Sequence, residues 1–154
     1  MDKKFDVVIV GTGAAGLYAA LNFPESVNIL LVSKRELQLS NSSLAQGGVA
    51  CVLDTVHDSY KLHITDTLIA GKYKNTLSAV EKLVTEGPSD VLKIKDLGVD
   101  FDLNEDGTMC KTLEAGHSRN RIVHHKDSTG KAIVDGLIAK VTLYFRASIT
   151  LWAV

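Results

Sequence analysis

Cysteine is scarce in this chain, because Cys51 and Cys110 are the only two cysteines among 154 residues and they lie far apart. Neither has a second cysteine or a histidine at the spacing of metal ligands. The sequence therefore indicates neither a disulfide framework nor a zinc site, and no metal ion is expected. Thiols of this kind are typical of a reducing compartment, so we expect a cytoplasmic protein.

The chain also lacks an excess of charge of either sign. Its 17 lysine and arginine residues nearly balance 18 aspartate and glutamate residues, which gives a formal net charge of −1. A surface that binds nucleic acid needs clustered positive charge. The composition therefore argues against a nucleic-acid partner and favours small molecules.

Long apolar runs are missing as well. The stretch from Phe5 to Phe23 is largely apolar, but Asp6 interrupts it and three glycines punctuate it. We expect no secretory signal there, and no other segment is long and apolar enough to span a bilayer. The hydrophobic fraction of 45% is ordinary for a single globular domain.

The first 32 residues predict a strand, a glycine-rich turn, a helix and a second strand. Phe5 to Val10 is a β-branched apolar run, typical of a strand that is buried on both faces of a parallel sheet. Residues 14–23 place small and apolar side chains at helical spacing, and Pro24 ends this helix. Val27 to Val32 supplies the second strand, so the unit is predicted to close as a right-handed crossover.

Gly11, Gly13 and Gly16 stand as GTGAAG between the first strand and the helix, which is the context of a dinucleotide-binding fingerprint. The first glycine allows a tight turn, the second lets backbone amides approach a pyrophosphate, and the third permits close packing of helix on strand. The acidic residue that usually follows the second strand is absent, and Lys34 lies there instead. From spacing alone, Lys34 can meet the 2′-phosphate of NADP or the adenosine of FAD.

The middle of the chain is predicted to be mostly helical. Residues 33–48 form a polar and glycine-rich connection that is too long for an ordinary turn between elements. Helices are predicted over residues 58–72, 75–86 and 89–97, and Asn75 is the predicted cap of the second. The apolar stripe of that second helix is predicted to consist of Leu77, Val80, Leu83 and Val84.

A hairpin and a last helix are predicted in the remaining part. Residues 99–103 and 109–112 are expected to pair as short strands across the Asp-Gly pair of residues 104–108. Ser128 or Thr129 can cap a helix that runs to about Val141.

Four motifs, in order along the chain, carry a resemblance to a known family: GTGAAG at 11–16, SNSSLAQGG at 40–48, HITDTLIAGK at 63–72 and EAGHSRNRIVHHKDSTG at 114–130. Together they resemble the L-aspartate oxidase branch of the flavoproteins that include succinate dehydrogenase and fumarate reductase. The resemblance covers residues 5–141. It implies an α/β fold, namely a Rossmann-like FAD-binding domain with a parallel sheet, incomplete because the capping and helical domains of the family are absent.

The end of the chain is apolar and strand-like, since residues 142–154 read TLYFRASITLWAV. A natural domain seldom ends on unprotected apolar sequence. We therefore divide the chain into residues 1–141, the amino-terminal part of an FAD-binding domain, and residues 142–154, an apolar tail that is truncated or divergent.

The cofactor that the resemblance implies is noncovalent FAD. In the dehydrogenase relatives a histidine at the position of Asn41 is bonded to the flavin, and Asn41 cannot make that bond. A loop rich in Ser, Asn, Gln and Gly offers donors to the cofactor without bulky side chains. The predicted cofactor-binding residues are Gly11, Thr12, Gly13, Ala14, Ala15, Gly16, Lys34, Asn41, Ser42, Ser43, Leu44, Ala45, Gln46, Gly47 and Gly48.

Glu114 is the predicted substrate-binding residue. The matching position is not acidic in the succinate and fumarate enzymes, whereas a carboxylate there can pair with the ammonium of an amino acid and orient it. The resemblance therefore implies oxidation of L-aspartate to iminoaspartate, the first step of quinolinate and NAD synthesis. Hydride passes from Cα to FAD, and oxygen or fumarate accepts the electrons.

Two further expectations follow from the resemblance. Quinolinate synthase is a candidate partner, because it consumes the product. The acid or base residue of the family lies outside these 154 residues, so we expect the isolated chain to be inactive. The alternative is a non-catalytic fragment that binds FAD or NADP.

A basic stretch follows Glu114 and has two interpretations. It consists of Arg119, Arg121, His124, His125 and Lys126. These side chains either attract a dicarboxylate or form a solvated face of the protein. A metal site formed by His117, His124 and His125 is discounted, because the adjacent histidines of a strand point to opposite faces and chelate poorly.

Overall fold

The computed structural model describes residues 4–144 and 149–153 and divides the chain into two compact units. The first unit consists of Met1–Gly47, Leu97–Asp100 and Asp127–Val154, and the second consists of Gly48–Asp96 and Phe101–Lys126. In chain order the elements are β1 (Val7–Val10), α1 (Ala14–Ala20), β2 (Ile29–Ser33), β3 (Val49–Ala50), α2 (Tyr60–Ala70), α3 (Leu77–Asp96), β4 (Lys111–Thr112), β5 (Ile122–Val123), α4 (Thr129–Tyr144) and β6 (Ile149–Ala153).

The first unit contains the predicted parallel sheet, with β2 between β1 and β6. Val7 pairs with Ile29 in the β1–β2 ladder, and Ile29 pairs with Ile149 in the β2–β6 ladder. Because α1 connects β1 to β2, the predicted strand, turn, helix and strand are all present. The α/β fold with a parallel sheet is therefore confirmed.

The core of the first unit is formed by β2, α1 and α4. α1 packs against α4, and the side chains buried in this core are Leu17, Ala20, Ile29, Leu31, Val134, Leu137 and Val141. β1 differs from the prediction, because its side chains alternate in exposure and Val10 is 83% exposed. β1 is therefore half-buried within this unit and not buried on both faces.

The second unit packs α2 against α3 and contains a small antiparallel sheet in the order β3, β5, β4. Val123 of β5 pairs with Val49 on one side and with Lys111 on the other. The buried apolar side chains of this unit are Cys51, Val52, Val80, Val84, Val91, Phe101, Met109, Ile122 and Val123.

The two helices predicted over residues 75–86 and 89–97 are one helix, α3, with Pro88 inside it. A proline within a helix removes one hydrogen bond and costs about 3 kcal/mol. Here Pro88 lies in a buried stripe with Val80, Val84 and Val91, and the burial of this stripe keeps the helix continuous across the proline.

The predicted cap and stripe of this helix are wrong in part. α3 begins at Leu77, and the carbonyl of Thr76 accepts from the Val80 N–H, so Asn75 is not the cap. Leu77 and Leu83 are exposed, the latter by 69%. The buried side of α3 is therefore rotated relative to the predicted one.

The predicted hairpin is present only as a single bridge between Leu103 and Met109. The Asn104 N–H donates to the Thr108 carbonyl at 2.8 Å across the turn. β4 pairs instead with β5, which was not predicted because two residues are too few to show an alternating pattern.

The last helix begins where it was predicted and extends further. The Ser128 carbonyl accepts from the Ala132 N–H, and α4 runs from Thr129 past Val141 to Tyr144. The division of the chain at residue 141 stays a prediction.

Candidate functional site

The glycine turn connects β1 to α1 in the first unit. Gly11 has a φ of 110°, a backbone conformation that residues with a Cβ rarely adopt. Its N–H donates to the Val32 carbonyl at 2.8 Å. A Cβ at Gly16 would lie 2.0 Å from the Gly11 carbonyl oxygen. The first and third glycines therefore have the structural roles that the fingerprint predicts: a tight turn and close packing of the helix.

The serine-rich loop that begins at Ser40 contacts this turn. The Ser42 Oγ accepts a hydrogen bond from the Ala14 N–H at 3.2 Å, and a Cβ at Gly13 would lie 2.9 Å from the same oxygen. Ser40 and Ser43 bind each other, since the Ser40 N–H donates to the Ser43 Oγ at 3.0 Å and that hydroxyl donates to the Ser40 carbonyl at 2.8 Å. These bonds give the loop a defined conformation beside the glycines.

The end of β2 is bound to the same turn. The Thr12 hydroxyl donates to the Ser33 Oγ at 3.0 Å, and both side chains are buried. The Arg35 N–H donates to the Ser33 Oγ at 3.3 Å. Ser33 thus lies at the end of the second strand, directly before Lys34.

A cavity of about 520 Å³ lies between the turn, the end of β2 and the loop. Its lining residues are Gly11, Thr12, Gly13, Ser33, Lys34, Arg35, Leu39, Ser40, Asn41, Ser42 and Leu44. Lys34 and Arg35 bring two positive charges, and this lining contains no carboxylate. The volume falls within the range of about 300–1,000 Å³ that is usual for ligand and cofactor sites. Hydroxyls, amides and two cations fit the pyrophosphate and adenosine of a dinucleotide.

Seven of the predicted cofactor-binding residues line this cavity: Gly11, Thr12, Gly13, Lys34, Asn41, Ser42 and Leu44. Four lining residues were not predicted, namely Ser33, Arg35, Leu39 and Ser40. Ser33 and Arg35 flank Lys34 in the sequence, which is a signal that could have identified them.

The other predicted cofactor-binding residues do not line the cavity, and their contact with the cofactor stays a prediction. They are Ala14, Ala15, Gly16, Ser43, Ala45, Gln46, Gly47 and Gly48. Gly48 belongs to the second unit, where a Cβ would lie 2.3 Å from Cγ2 of Ile122 and 2.5 Å from the Val123 carbonyl oxygen. Glycine is therefore required at residue 48 for close packing onto β5.

Glu114 begins a turn in the second unit. The His117 N–H donates to the Glu114 carbonyl at 3.2 Å, and Gly116 has a φ of 86°. The Glu114 side chain is exposed. Within the part of the chain that the structure describes, its carboxylate forms no hydrogen bond or ion pair, so it is available to bind a cation.

Arg121 does not fit either interpretation of the basic stretch, because its side chain is 0% exposed. Its Nε and Nη2 each donate to a carboxylate oxygen of Asp58 at 2.8 Å, and its Nη1 donates to Asp66 at 2.6 Å. Burial opposes the ionisation of Asp58, but hydrogen bonds from Arg121 and from the Ser59 N–H outweigh it and lower the pKa of Asp58. Arg121 is therefore the centre of a buried ionic cluster.

The two adjacent histidines of the stretch lie against one carboxylate. Nδ1 of His124 is 3.0 Å from Oδ2 of Asp102, and Nδ1 of His125 is 3.7 Å from Oδ1 of Asp102. The Lys126 N–H also donates to Asp102 at 2.7 Å. Among residues 4–144 and 149–153, no group of three or more His, Cys, Asp or Glu side chains could hold a metal ion.

Comparison with known families identifies the class of domain. The family described as "FAD binding domain" matches residues 6–152, almost the whole chain. The chain belongs to this FAD-binding domain family. FAD is its cofactor, so the alternative of NADP beside Lys34 is not supported.

Curated relatives of this FAD-binding domain share its sequence over most of its length. An L-aspartate oxidase of Clostridium perfringens is 46% identical over 141 residues, which are 92% of this chain and 31% of that protein. A chloroplastic L-aspartate oxidase of Oryza sativa is 41% identical over 139 residues, which are 90% of this chain and 21% of that protein. The resemblance to the L-aspartate oxidase branch is confirmed, and the chain spans about a third or less of the length of these relatives.

Solved structures give the same result for the fold. The Sdh1 complex of Mycobacterium smegmatis in its apo form matches with a TM-score of 0.88 and 28% identity, over 97% of this chain and 27% of that chain. A variant of the E. coli quinol fumarate reductase matches with a TM-score of 0.87 and 28% identity, over 96% of this chain and 25% of that chain. Among the helices that the structure describes here, none has the length and apolar character needed to cross a membrane.

Proposed function

We propose that this FAD-binding domain is part of an L-aspartate oxidase and that Glu114 binds the substrate ammonium. The observation that carries the proposal is the Glu114 carboxylate, which is exposed and has no partner among the residues described. It lies in a chain that is 38–46% identical to proteins named L-aspartate oxidase. An ion pair with Glu114 would distinguish an amino acid from a dicarboxylate that carries no ammonium.

The cavity of the first unit is the proposed site for the adenosine and pyrophosphate of FAD. Backbone amides of Thr12 and Gly13 and the hydroxyls of Ser40 and Ser42 are available to the phosphates, and Lys34 and Arg35 neutralise their charge. We propose that FAD is held without a covalent bond, because the amide of Asn41 cannot form one with the flavin. Bound FAD supplies the hydride acceptor of the reaction.

The proposed reaction is the oxidation of L-aspartate to iminoaspartate. The substrate loses a hydride from Cα and a proton from its amino group, and oxygen or fumarate is the final electron acceptor. Glu114 would hold the amino group in one orientation, which limits the number of substrate poses and favours transfer from Cα.

The proposed setting is the cytoplasm, which fits the two free thiols of Cys51 and Cys110. We also propose that the isolated chain is inactive, because it corresponds to 31% of the length of the Clostridium relative. Quinolinate synthase is the proposed consumer of iminoaspartate.

A chimaera tests this function. Residues 6–141 of this chain would replace the matching segment of the Clostridium perfringens relative, and kcat/KM for L-aspartate would be measured in the chimaera with Glu114 and with Glu114→Gln. Loss of a charge-assisted hydrogen bond to the substrate should lower kcat/KM by roughly 30- to 100-fold. Glu105→Gln is the matched control, because Glu105 is exposed in the turn of residues 104–108 and should leave kcat/KM unchanged.

Two results would contradict the proposal. Unchanged kcat/KM in Glu114→Gln would remove the assigned role of Glu114. A chimaera that binds FAD but does not oxidise L-aspartate would favour the alternative, in which this chain is a non-catalytic FAD-binding fragment.

A further inference from the structure

Asp66 on α2 binds two different parts of the second unit. Its Oδ2 accepts hydrogen bonds from the Ser118 N–H at 2.9 Å and from the Ser118 hydroxyl at 2.8 Å. The same oxygen accepts from Nη1 of Arg121 at 2.6 Å. One carboxylate oxygen therefore joins α2 to residue 118 and to the buried guanidinium.

These bonds end at the turn that carries Glu114. Ser118 directly follows His117, whose N–H closes the turn onto the Glu114 carbonyl. Nη1 of Arg121 also lies 3.2 Å from Nδ1 of His117. Because a guanidinium only donates, Nδ1 must accept, and the bond requires a neutral His117 with its proton on Nε2.

Apolar packing does not replace these bonds on the α2 side of the turn. A cavity of about 330 Å³ is lined there by Asp66, Thr67, Ala70, Gly71, Asn75, Ala115, Gly116 and His117. The turn therefore adjoins open space, and it is held on this side by the polar bonds of Ser118 and His117 and by a contact between the rings of His117 and His63, whose centroids lie 5.6 Å apart. Gly116 adds no side chain that could fill the space.

The two aspartates of the cluster have different roles. Asp58 binds the Nε and Nη2 edge of Arg121 with both oxygens and makes no bond to Ser118 among the described residues. Within the described part of the chain, Asp66 accepts three hydrogen bonds from side chains and backbone, two from Ser118 and one from Arg121. Burial opposes the ionisation of Asp66, but the Ser118 N–H and Arg121 outweigh it, and the pKa of Asp66 is lowered.

We propose that Asp66 and Arg121 are positioning residues that hold the Glu114–Ser118 turn, and with it the carboxylate that binds the substrate ammonium. This inference rests on the function proposed above. Neither side chain contacts the substrate in this arrangement. They act through Ser118 and His117, because a carboxylate on a loosely held turn would take many orientations and bind the ammonium in few of them.

The first test measures the turn itself and needs no activity. Amide hydrogen exchange of residues 113–119 would be compared in the 154-residue chain with FAD and in its Asp66→Asn and Ser118→Ala variants. We expect exchange at Ser118 and in the turn to rise about tenfold or more in Asp66→Asn and less in Ser118→Ala, which keeps the N–H bond. Thr67→Val is the control, because Thr67 neighbours Asp66 on α2 and, among the residues that the structure describes, its hydroxyl bonds only to the His63 carbonyl.

The second test measures the coupling between Asp66 and Glu114 in the chimaera. Asp66→Asn should raise KM for L-aspartate roughly tenfold, the size of one misplaced charge-assisted hydrogen bond. In the double variant with Glu114→Gln, Asp66→Asn should have no further effect on KM, because the carboxylate that it positions is gone. A residue that only stabilises the fold would weaken both backgrounds equally.

The outcomes separate the two proposals. Unchanged exchange in the turn of both variants, or an equal effect of Asp66→Asn in the two backgrounds, overturns the positioning role and leaves Glu114 as the substrate-binding residue. A normal KM and kcat in Glu114→Gln overturns the proposed function, and the positioning role then fails with it.

Discussion

The three glycines of the turn after β1 are each constrained for a different reason, and these reasons predict different effects of substitution. At Gly11 the restriction is the backbone conformation, with a φ of 110°. At Gly16 it is the Gly11 carbonyl, a backbone atom 2.0 Å from an added Cβ. At Gly13 the neighbour is the Ser42 hydroxyl at 2.9 Å, which a rotation about one side-chain bond can move. A Cβ at Gly13 should therefore change the cofactor site more than the fold.

Gly13→Ala should weaken FAD binding by about tenfold, with a change in the free energy of unfolding of about 1 kcal/mol or less. The new methyl displaces the Ser42 hydroxyl, which then loses its bond to the Ala14 N–H. Fluorescence titration with FAD gives the affinity, and urea unfolding gives the stability. Gly87→Ala is the control, since it lies in α3 with open space around it. Equal FAD affinities of Gly13→Ala and wild type would show that the loop does not bind the cofactor.

Individual functional residues can be identified from the sequence when their role depends on a local sequence pattern. Gly11, Gly13 and Lys34 could be identified because the fingerprint and the strand end lie within about 25 residues of each other. Arg121 could not, because its partners Asp58 and Asp66 are 63 and 55 residues away. A basic residue in a polar stretch has the same local pattern whether it is buried with two carboxylates or solvated.

Among the elements, α4 and the loop of residues 40–48 depend on each other. The Gly130 N–H donates to the Ala45 carbonyl at 3.0 Å. A Cβ at Gly130 would lie 2.0 Å from the Ser42 carbonyl oxygen and 2.7 Å from the Ala45 carbonyl oxygen. Backbone atoms cannot rotate away as a hydroxyl can, so any side chain at residue 130 must displace the loop or the first turn of the helix.

Gly130→Ala should lower the free energy of unfolding by about 1–3 kcal/mol, the usual cost of overpacking, and should also weaken FAD binding. The affinity falls because Ser42, which lines the cavity, moves with the loop. Ala139→Gly is the control. It costs about 1 kcal/mol of helix propensity at an exposed position of α4 and should leave FAD binding unchanged. Equal effects of the two variants on FAD affinity would argue against the coupling.

Long elements with nearby partners were predictable from the sequence, and short elements with distant partners were not. β1, α1 and β2 have strong local patterns, and all three are present in the predicted regions, although α1 ends at Ala20, before the predicted end at Phe23. The boundary predicted between the helices of residues 75–86 and 89–97 is absent, because the buried stripe that offsets the local cost of Pro88 extends from Val80 to Val91. β5 has two residues, and its pairing with both β3 and β4 is visible only in three dimensions.

For the whole molecule, a nearly neutral net charge conceals an uneven distribution of ionisable groups. His63 is 6% exposed, and its Nδ1 has no hydrogen-bond partner within the described residues. Burial, together with the positive charge of Arg121 and the neighbouring His117 ring, lowers the pKa of His63 to about 4, although Asp58 and Asp66 oppose this. The folded protein therefore contains His63 as a neutral ring at all but acidic pH.

This ring makes folding depend on pH over a defined window. In the unfolded chain His63 takes a proton below its ordinary pKa of about 6.5, whereas the folded protein does not until about pH 4. Between these values the unfolded state binds more protons, so stability falls as the pH decreases. Asp58 and Asp66 act at lower pH, because their lowered pKa values stabilise the fold above the ordinary carboxylate range and this contribution is lost in stronger acid.

We therefore expect the free energy of unfolding to be constant from pH 8 to about 7 and to fall by roughly 2–3 kcal/mol between pH 6.5 and 4.5. Urea unfolding at pH 7.5, 5.5 and 4.5 measures it. His63→Phe, which cannot take a proton, should lose most of this slope even if its stability at pH 7.5 is lower. His57→Gln, at an exposed position, should keep the slope. Equal slopes in His63→Phe and wild type would mean that another group controls the acid sensitivity, and the buried neutral ring would then have no part in it.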